Sequence, residues 1–320
     1  MIRIAIICFL VSIVRSQFCK LTSDDLNGLT QLFNDVHKSV EEATRGQSGN
    51  AAIFLGDVGS EKEALINYLI GNELIAYRPN KYEALKLRKA NNSTTGPEIY
   101  TGTVSKTKIP TKWKSTRTEL QNLEIWDTPP LMDNRGPLQD LNNSIYLYHL
   151  IRSLESLKFV VVINCHDIIS DDIGQILRLL RTLETLFNDK FRDFLPSISV
   201  IISRAPEKIE DILVDREFIK KKLDSNIIQD STLVMSNVSR DFLRQIMSNK
   251  KSVGIFRKPE NVEKVTAVID DNIIQAINNA ESKDKSSNQN ISLPISIELH
   301  PCLEDINYLL SKKEAKEESA

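Results

Sequence analysis

The chain has 320 residues, 41% hydrophobic and 26% charged, which is apolar material for one large domain, or for one domain with an appendage. A formal charge of −2 and a pI near 6.2 supply no basic field for nucleic acid, so nucleic-acid binding is excluded as a main role. In chain order the first element is a leader: Met1-Ile2-Arg3, then an almost wholly apolar stretch over residues 4–14, then Arg15-Ser16 before Gln17. This pattern predicts a signal peptide over residues 1–16 and a secreted, extracellular protein. The competing reading is a buried first strand or helix of a cytosolic protein. The stretch is too short for a stable membrane span. Cleavage removes Cys8 and leaves Cys19, Cys165 and Cys302, an odd set that permits one disulfide and leaves its pairing open. N-x-[ST] sites at Asn91, Asn92, Asn142, Asn237 and Asn290 suit a secreted glycoprotein.

After the leader, Ser23 or Asp24 is placed to cap a helix in which Leu26, Leu29, Leu32, Phe33, Val36 and Val40 recur at three- and four-residue steps. Short apolar runs at residues 51–55, 123–126, 159–163, 198–202 and 233–235 read as strands, with amphipathic stretches between them. One of these stretches carries Ile173, Ile176, Leu177, Leu179 and Leu180 on a single face. Strands that are continuously apolar and separated by helices predict an α/β fold with a doubly wound, mostly parallel sheet covered on both faces. Residues 281–290, ESKDKSSNQN, are wholly polar and read as a linker or exposed loop. Beyond them, residues 291–299 read as extended, 303–313 as helical and 312–320 as a charged, fraying tail.

The most specific motif is IFLGDVGSEK at residues 53–62. A phosphate-binding loop follows GxxxxGK[ST] between a buried strand and a helix. Its glycines let backbone N–H groups curl around phosphate, its lysine neutralises charge and its hydroxyl holds Mg²⁺. Gly56 and Lys62 stand at the required spacing, with Asp57, Val58, Gly59 and Ser60 between them. Glu61 replaces the second glycine and Glu63 the hydroxyl residue. A carboxylate at either place repels a polyphosphate, although Glu63 is also able to ligate Mg²⁺. If no ligand binds, both glutamates are simply helix-start residues favoured by the dipole. A second apolar strand ends in Asp127-Thr128-Pro129-Pro130, where a carboxylate would reach Mg²⁺ directly or through water.

These two stretches together resemble the P-loop GTPases, and more closely the G domains related to septin and immune-associated GTPases. The resemblance covers about residues 51–235. It implies a sheet of P-loop NTPase type, with an N-terminal helix over 17–48, a degenerate G domain over 49–250, and a C-terminal helical extension over 251–320 with its polar linker and charged tail. It implies GTP or GDP with Mg²⁺ as ligands, contacted by residues 56–63, with Asp127 and the switch threonine, Thr94 or Thr95, at the metal. The guanine-reading motif [NT]KxD falls on Ser203-Arg204-Ala205-Pro206, where the base-reading carboxylate is missing and Arg204 offers a guanidinium to lie against a base. A glycine whose N–H meets the terminal phosphate in the family falls on Pro130, which has no N–H. Ser236, after the run at 233–235, falls where the family often has a base-loop serine.

Two functions follow from this pattern: weak or vestigial guanine-nucleotide binding with doubtful hydrolysis, or a pseudo-GTPase that acts as a protein-interaction module without nucleotide. No catalytic residue is assigned. The histidines, His37, His149, His166 and His300, are scattered and show no metal-ligand spacing with the cysteines. His166-Asp167 lacks any partner nucleophile motif, and Lys220, Lys221 and Lys222 read as a solvated face. Nothing in the sequence speaks to oligomeric state.

Overall fold

The computed structural model describes residues 23–46, 49–99, 107, 109–262, 264–265, 269–296 and 302. The expected leader, Cys8, Cys19, the helix at 303–313 and the charged tail lie outside the described residues. In chain order the elements are α1 (Ser23–Thr44), β1 (Asn50–Gly56), α2 (Lys62–Leu69), β2 (Leu74–Tyr77), β3 (Lys86–Lys89), β4 (Thr111–Lys114), β5 (Leu123–Asp127), α3 (Pro137–Ser153) and β6 (Ser156–Asn164). There follow α4 (Cys165–Ile169), α5 (Gly174–Phe187), α6 (Phe191–Phe194), β7 (Ile198–Ala205), β8 (Lys208–Ile209), β9 (Ile212–Leu213), α7 (Arg216–Leu223) and α8 (Asn237–Ser248). The last are β10 (Val253–Arg257), β11 (Asp270–Asp271), α9 (Ile273–Asn279), β12 (Lys283–Asp284) and α10 (Lys285–Asn288).

The main sheet runs in the order β11-β10-β7-β6-β1-β5-β4, with β12 added to β6. The central pairs β10–β7, β7–β6, β6–β1 and β1–β5 are parallel, whereas β4, β11 and β12 pair antiparallel. This is an α/β fold with a mostly parallel sheet flanked by helices. Alternation along the strands divides the core in two. Ile53, Leu55, Phe159, Val161, Val200 and Ile202 pack into the layer under α1, α3, α5 and α8. Ala52, Phe54, Val160, Val162 and Ile201 pack into the layer under α2 and α9. Both faces are therefore covered, which is why the strands read as continuous apolar runs. Parallel neighbours in register bring Phe54 opposite Asp127, and Gly56 opposite Val162, so the loops after β1, β5, β6 and β7 gather at one edge of the sheet.

Three expectations need correction. Residues 233–235 form no strand: Val234 is 87% exposed, and the segment leads into Ser236, whose hydroxyl caps α8 by accepting from Ser239 N–H. The strand that follows β7 in the sheet is β10, whose apolar run is interrupted by Gly254. Glycine is required there because a Cβ would lie 2.8 Å from Ile273 Cα. The sheet thus continues past residue 250. Residues 281–290 are not a free linker. They form β12, which pairs Lys283 with Leu157, and α10, from which the buried Asn288 donates to Leu154 O. Hydropathy misses this segment because its order comes from backbone pairing and side-chain hydrogen bonds.

Candidate functional site

Gly56 ends β1 and turns the chain into the 56–62 loop. The turn has no room for a side chain, since a Cβ at Gly56 would meet Ser60 Oγ at 2.7 Å and Val162 O at 2.9 Å. Asp57 Oδ1 accepts from Val58 N–H at 2.7 Å, and Asp57 O accepts from Ser60 N–H at 3.2 Å. Gly59 adopts φ +83° without strain. Glu61, at the second glycine position, is also left-handed with φ 56°, a conformation that costs a side-chain-bearing residue about 1 kcal/mol. The loop therefore has a glycine-like backbone at a residue that is not glycine. Glu61 precedes α2 without a side-chain cap, which leaves the first N–H groups of that helix turned toward the loop.

Lys62 opens α2 and folds inward, 2% exposed. Its Nζ lies 3.8 Å from Asp127 Oδ1 and 3.9 Å from Glu63 Oε1. Asp127 comes from the end of the adjacent parallel strand β5, and its Oδ2 accepts from Thr107 Oγ1 at 3.3 Å. Burial pushes its carboxyl up to about 7, with Lys62 pulling the other way and Glu63 reinforcing the rise. Asp57 is pushed up to about 6, again chiefly by burial, against the hydrogen bond from Val58. Two polar atoms here, Ser60 Oγ and Asp127 Oδ1, are buried without a hydrogen-bond partner among the described residues. Such orphans are uncommon in a folded protein and mark a place where a ligand's polar atoms would fit.

The remaining expected residues divide. Arg204 reaches the loop: its Nε is 3.4 Å from Glu61 Oε1, and its own backbone is left-handed at φ 56°. Ser203 does not reach it. β7 runs through Ala205, so Ser203 points into the sheet, fully buried, and donates to Ile163 O at 3.3 Å. Thr94 and Thr95 lie beside the far end of α2, where Thr94 Oγ1 donates to Asn91 O and Thr95 O accepts from Asn72 Nδ2. The threonine at Asp127 is Thr107, whose carbonyl is held by Arg135 Nη2 at 3.0 Å. Arg135 in turn grips the buried Asp133, which Asn143 also donates to. Thr107 stands shortly before β4, the strand antiparallel to β5, and that pairing is the signal that would have singled it out. Lys258 was also missed. It follows β10, donates its N–H to Ala205 O, and its charge acts on Glu61 together with Arg204.

After Asp127, the chain folds back over the loop. Thr128 Oγ1 donates to Phe54 O at 2.6 Å and Leu131 N–H donates to Gly56 O at 3.1 Å, while the intervening Pro129 and Pro130 are buried and offer no N–H. Beside Asp57 and Val58 lies a cleft of about 500 Å³ whose walls include Asp133, Asn134, Gln175 and Arg178. Among the described residues no group of three or more His, Cys, Asp or Glu is arranged to hold a metal ion. Asp127 and Glu63 would hold Mg²⁺ only with help from ligand oxygens, the usual mode for that ion. His37 and His149, scattered in sequence, are neighbours between α1 and α3, with ring centroids 5.5 Å apart. Cys302 is disulfide-bonded, whereas Cys165 is free and buried. Asn142 sits inside α3, half-buried, with its Oδ1 enclosed, whereas Asn91, Asn92, Asn237 and Asn290 are exposed.

No protein-family model matches the chain and no curated protein is similar to it, so the site is read from its own geometry.

Proposed function

We propose that the chain is a secreted, degenerate P-loop protein of G-domain type that binds a guanine nucleotide weakly with Mg²⁺ and hydrolyses it poorly or not at all. The observation that carries this reading is the Lys62–Asp127 ion pair beneath the 56–62 loop, in which Asp127 Oδ1 accepts no hydrogen bond, with Ser60 Oγ buried beside it and also without one. Asp127 ends β5 and Lys62 opens the helix that follows the neighbouring parallel strand β1, the arrangement a phosphate-and-metal site uses. In this reading Lys62 turns from Asp127 to phosphate, and the open N–H groups at the start of α2 add donors. Asp127 and Glu63 then hold Mg²⁺ together with phosphate oxygens, and Thr107 orients Asp127.

Hydrolysis is disfavoured because Pro129 and Pro130 supply no N–H to a terminal phosphate. Base selection is poor because Ser203 is buried and Pro206 stands where a carboxylate would read guanine. The disulfide at Cys302 suits an oxidising, extracellular setting. Calorimetry of the mature chain with Mg²⁺ and GTP, GDP or ATP tests the reading. Binding that Lys62→Ala abolishes supports it, and silence at millimolar nucleotide ends it.

A second reading, a nucleotide-free interaction module, is favoured by the β8–β9 hairpin that directly follows Pro206. The hairpin turns through Glu210 and Asp211, both with positive φ, and exposes Ile212 by 57% and Leu213 by 48%. Here partner capture would survive Lys62→Ala and fail in Ile212→Ser/Leu213→Ser.

A further inference from the structure

The carboxylate at the second glycine position is turned away from the helix it precedes. A glutamate held at a helix start by the dipole alone would face the first N–H groups of that helix. Glu61 makes no such bond. Its side chain instead crosses to the end of β7, where Oε1 meets Arg204 Nε at 3.4 Å with the two side chains only 29% and 36% exposed. Lys258, at the end of the neighbouring strand β10, adds a second positive charge.

Inside the loop the balance is reversed. Ser60 Oγ is buried without a hydrogen bond, Asp127 Oδ1 accepts none and has only the Lys62 ammonium at 3.8 Å, and the N–H groups at the start of α2 lack a side-chain cap. The loop thus holds open positions within and a self-satisfied cationic rim without. Glu61 is the one residue that joins the two, because its backbone belongs to the loop and its carboxylate to the rim.

We infer that Glu61 is a built-in competitor of the phosphate ligand: its carboxylate occupies Arg204 at the rim of the 56–62 loop, and an incoming polyphosphate must displace it. This inference rests on the reading of that loop as a phosphate site, and it explains why binding there would be weak. An anion entering the loop gains Lys62 and the helix N–H groups but meets the Glu61 carboxylate, and it gains Arg204 only after the Glu61–Arg204 ion pair breaks. The Glu61–Arg204 contact therefore sets the affinity without touching the metal.

The test compares the mature wild-type chain with Glu61→Gln, Glu61→Gly and Glu61→Gln/Lys62→Ala, using calorimetry with Mg²⁺-GTP and with Mg²⁺-tripolyphosphate. Glu61→Gln keeps the shape and removes the charge; Glu61→Gly also relieves the left-handed backbone, and thermal melting checks that each variant is folded. Both single variants are expected to bind both probes about tenfold more tightly or better, the scale of one lost ion pair plus one removed repulsion, and Lys62→Ala is expected to cancel the gain. If the wild type binds and both single variants stay within about twofold of it, the inference is overturned while the nucleotide reading stands. If neither the wild type nor the variants bind at millimolar probe, both are overturned. A gain for GTP without a gain for tripolyphosphate also overturns it, because the effect would then belong to the base.

Discussion

The ammonium of Lys62 lies 3.8 Å from Asp127 Oδ1, and each side chain is only 2% exposed. Such a pair is hard to break from one side. Lys62→Ala leaves a carboxylate buried beside Glu63 with no cation, and is expected to destabilise the fold by about 3 kcal/mol at alkaline pH. The loss should shrink near pH 6, where Asp127 takes up a proton instead. Urea melts of Lys62→Ala and Lys62→Met/Asp127→Asn check this, because the double variant removes both charges and should recover most of the loss.

Stability should fall as pH rises from about 4 to about 7. Burial raises Asp127 to about 7 and Asp57 to about 6 from an ordinary 3.8. Carboxyls in the unfolded chain lose their protons first, so the folded state binds more protons across this window. The stabilisation is full below the unfolded value and is lost as pH passes through the folded values. Asp127→Asn should flatten most of the slope, measured as urea midpoints between about pH 4 and about pH 8. An equal slope in the variant would assign the effect elsewhere.

Arg135 is expected to be structural and to act on the site through Thr107. Burial raises the Asp133 carboxyl, but hydrogen bonds from Arg135 and Asn143 outweigh it and hold the group below the usual range. Arg135→Ala strands a carboxylate whose side chain is 0% exposed and frees the Thr107 carbonyl. A loss of about 2–3 kcal/mol is expected in chemical denaturation, against a much smaller loss for Thr107→Val.

Phe187 anchors the layer under α5. Its ring stands edge-on to Phe159 at 4.9 Å and lies near Phe191 and Phe194 at 5.1 and 5.0 Å. Phe187→Ala should cost about 3–5 kcal/mol by opening a cavity among these rings. A midpoint shift below about 1 kcal/mol would mean that the layer collapses to fill it.

Cys165 should be inert in the native protein. Burial pushes its thiol up to about 12, so almost no thiolate exists at neutral pH. Alkylation followed by intact mass should leave Cys165 unmodified until denaturant is added.

How much of this was legible depended on the kind of interaction. Gly56, Lys62 and Asp127 were readable because a glycine turn between an apolar strand and an amphipathic helix leaves a local signature. β10 was hidden by Gly254, which the packing of α9 demands but which breaks an apolar run. Thr94 and Thr95 were favoured by a Ser/Thr-rich loop, whereas Thr107 owes its place to the pairing of β4 with β5 and to Arg135, neither of which is local. Arg204 was singled out by position, but its partner Glu61 lies far off in sequence, and no pattern announces such a pair. Ser203 was misplaced because β7 runs to Ala205 instead of ending at Ile202.

The antiparallel pairing of β12 with β6 bears on how the molecule assembles. From Phe159 onward β6 is flanked by β1 and β7, but Ser156 and Leu157 precede its pairing with β7 and receive Lys283 and Asp284 instead, while Ser144 and Leu186 wait for Pro294 O and Ser292 N–H. Contacts of such long sequence separation form late and slowly. A ribosome-bound chain halted near residue 280 would therefore hold its central strands with one end of the sheet unsealed. In pulse-labelling hydrogen exchange, amides of β1 and β6 should gain protection before those of residues 283–292.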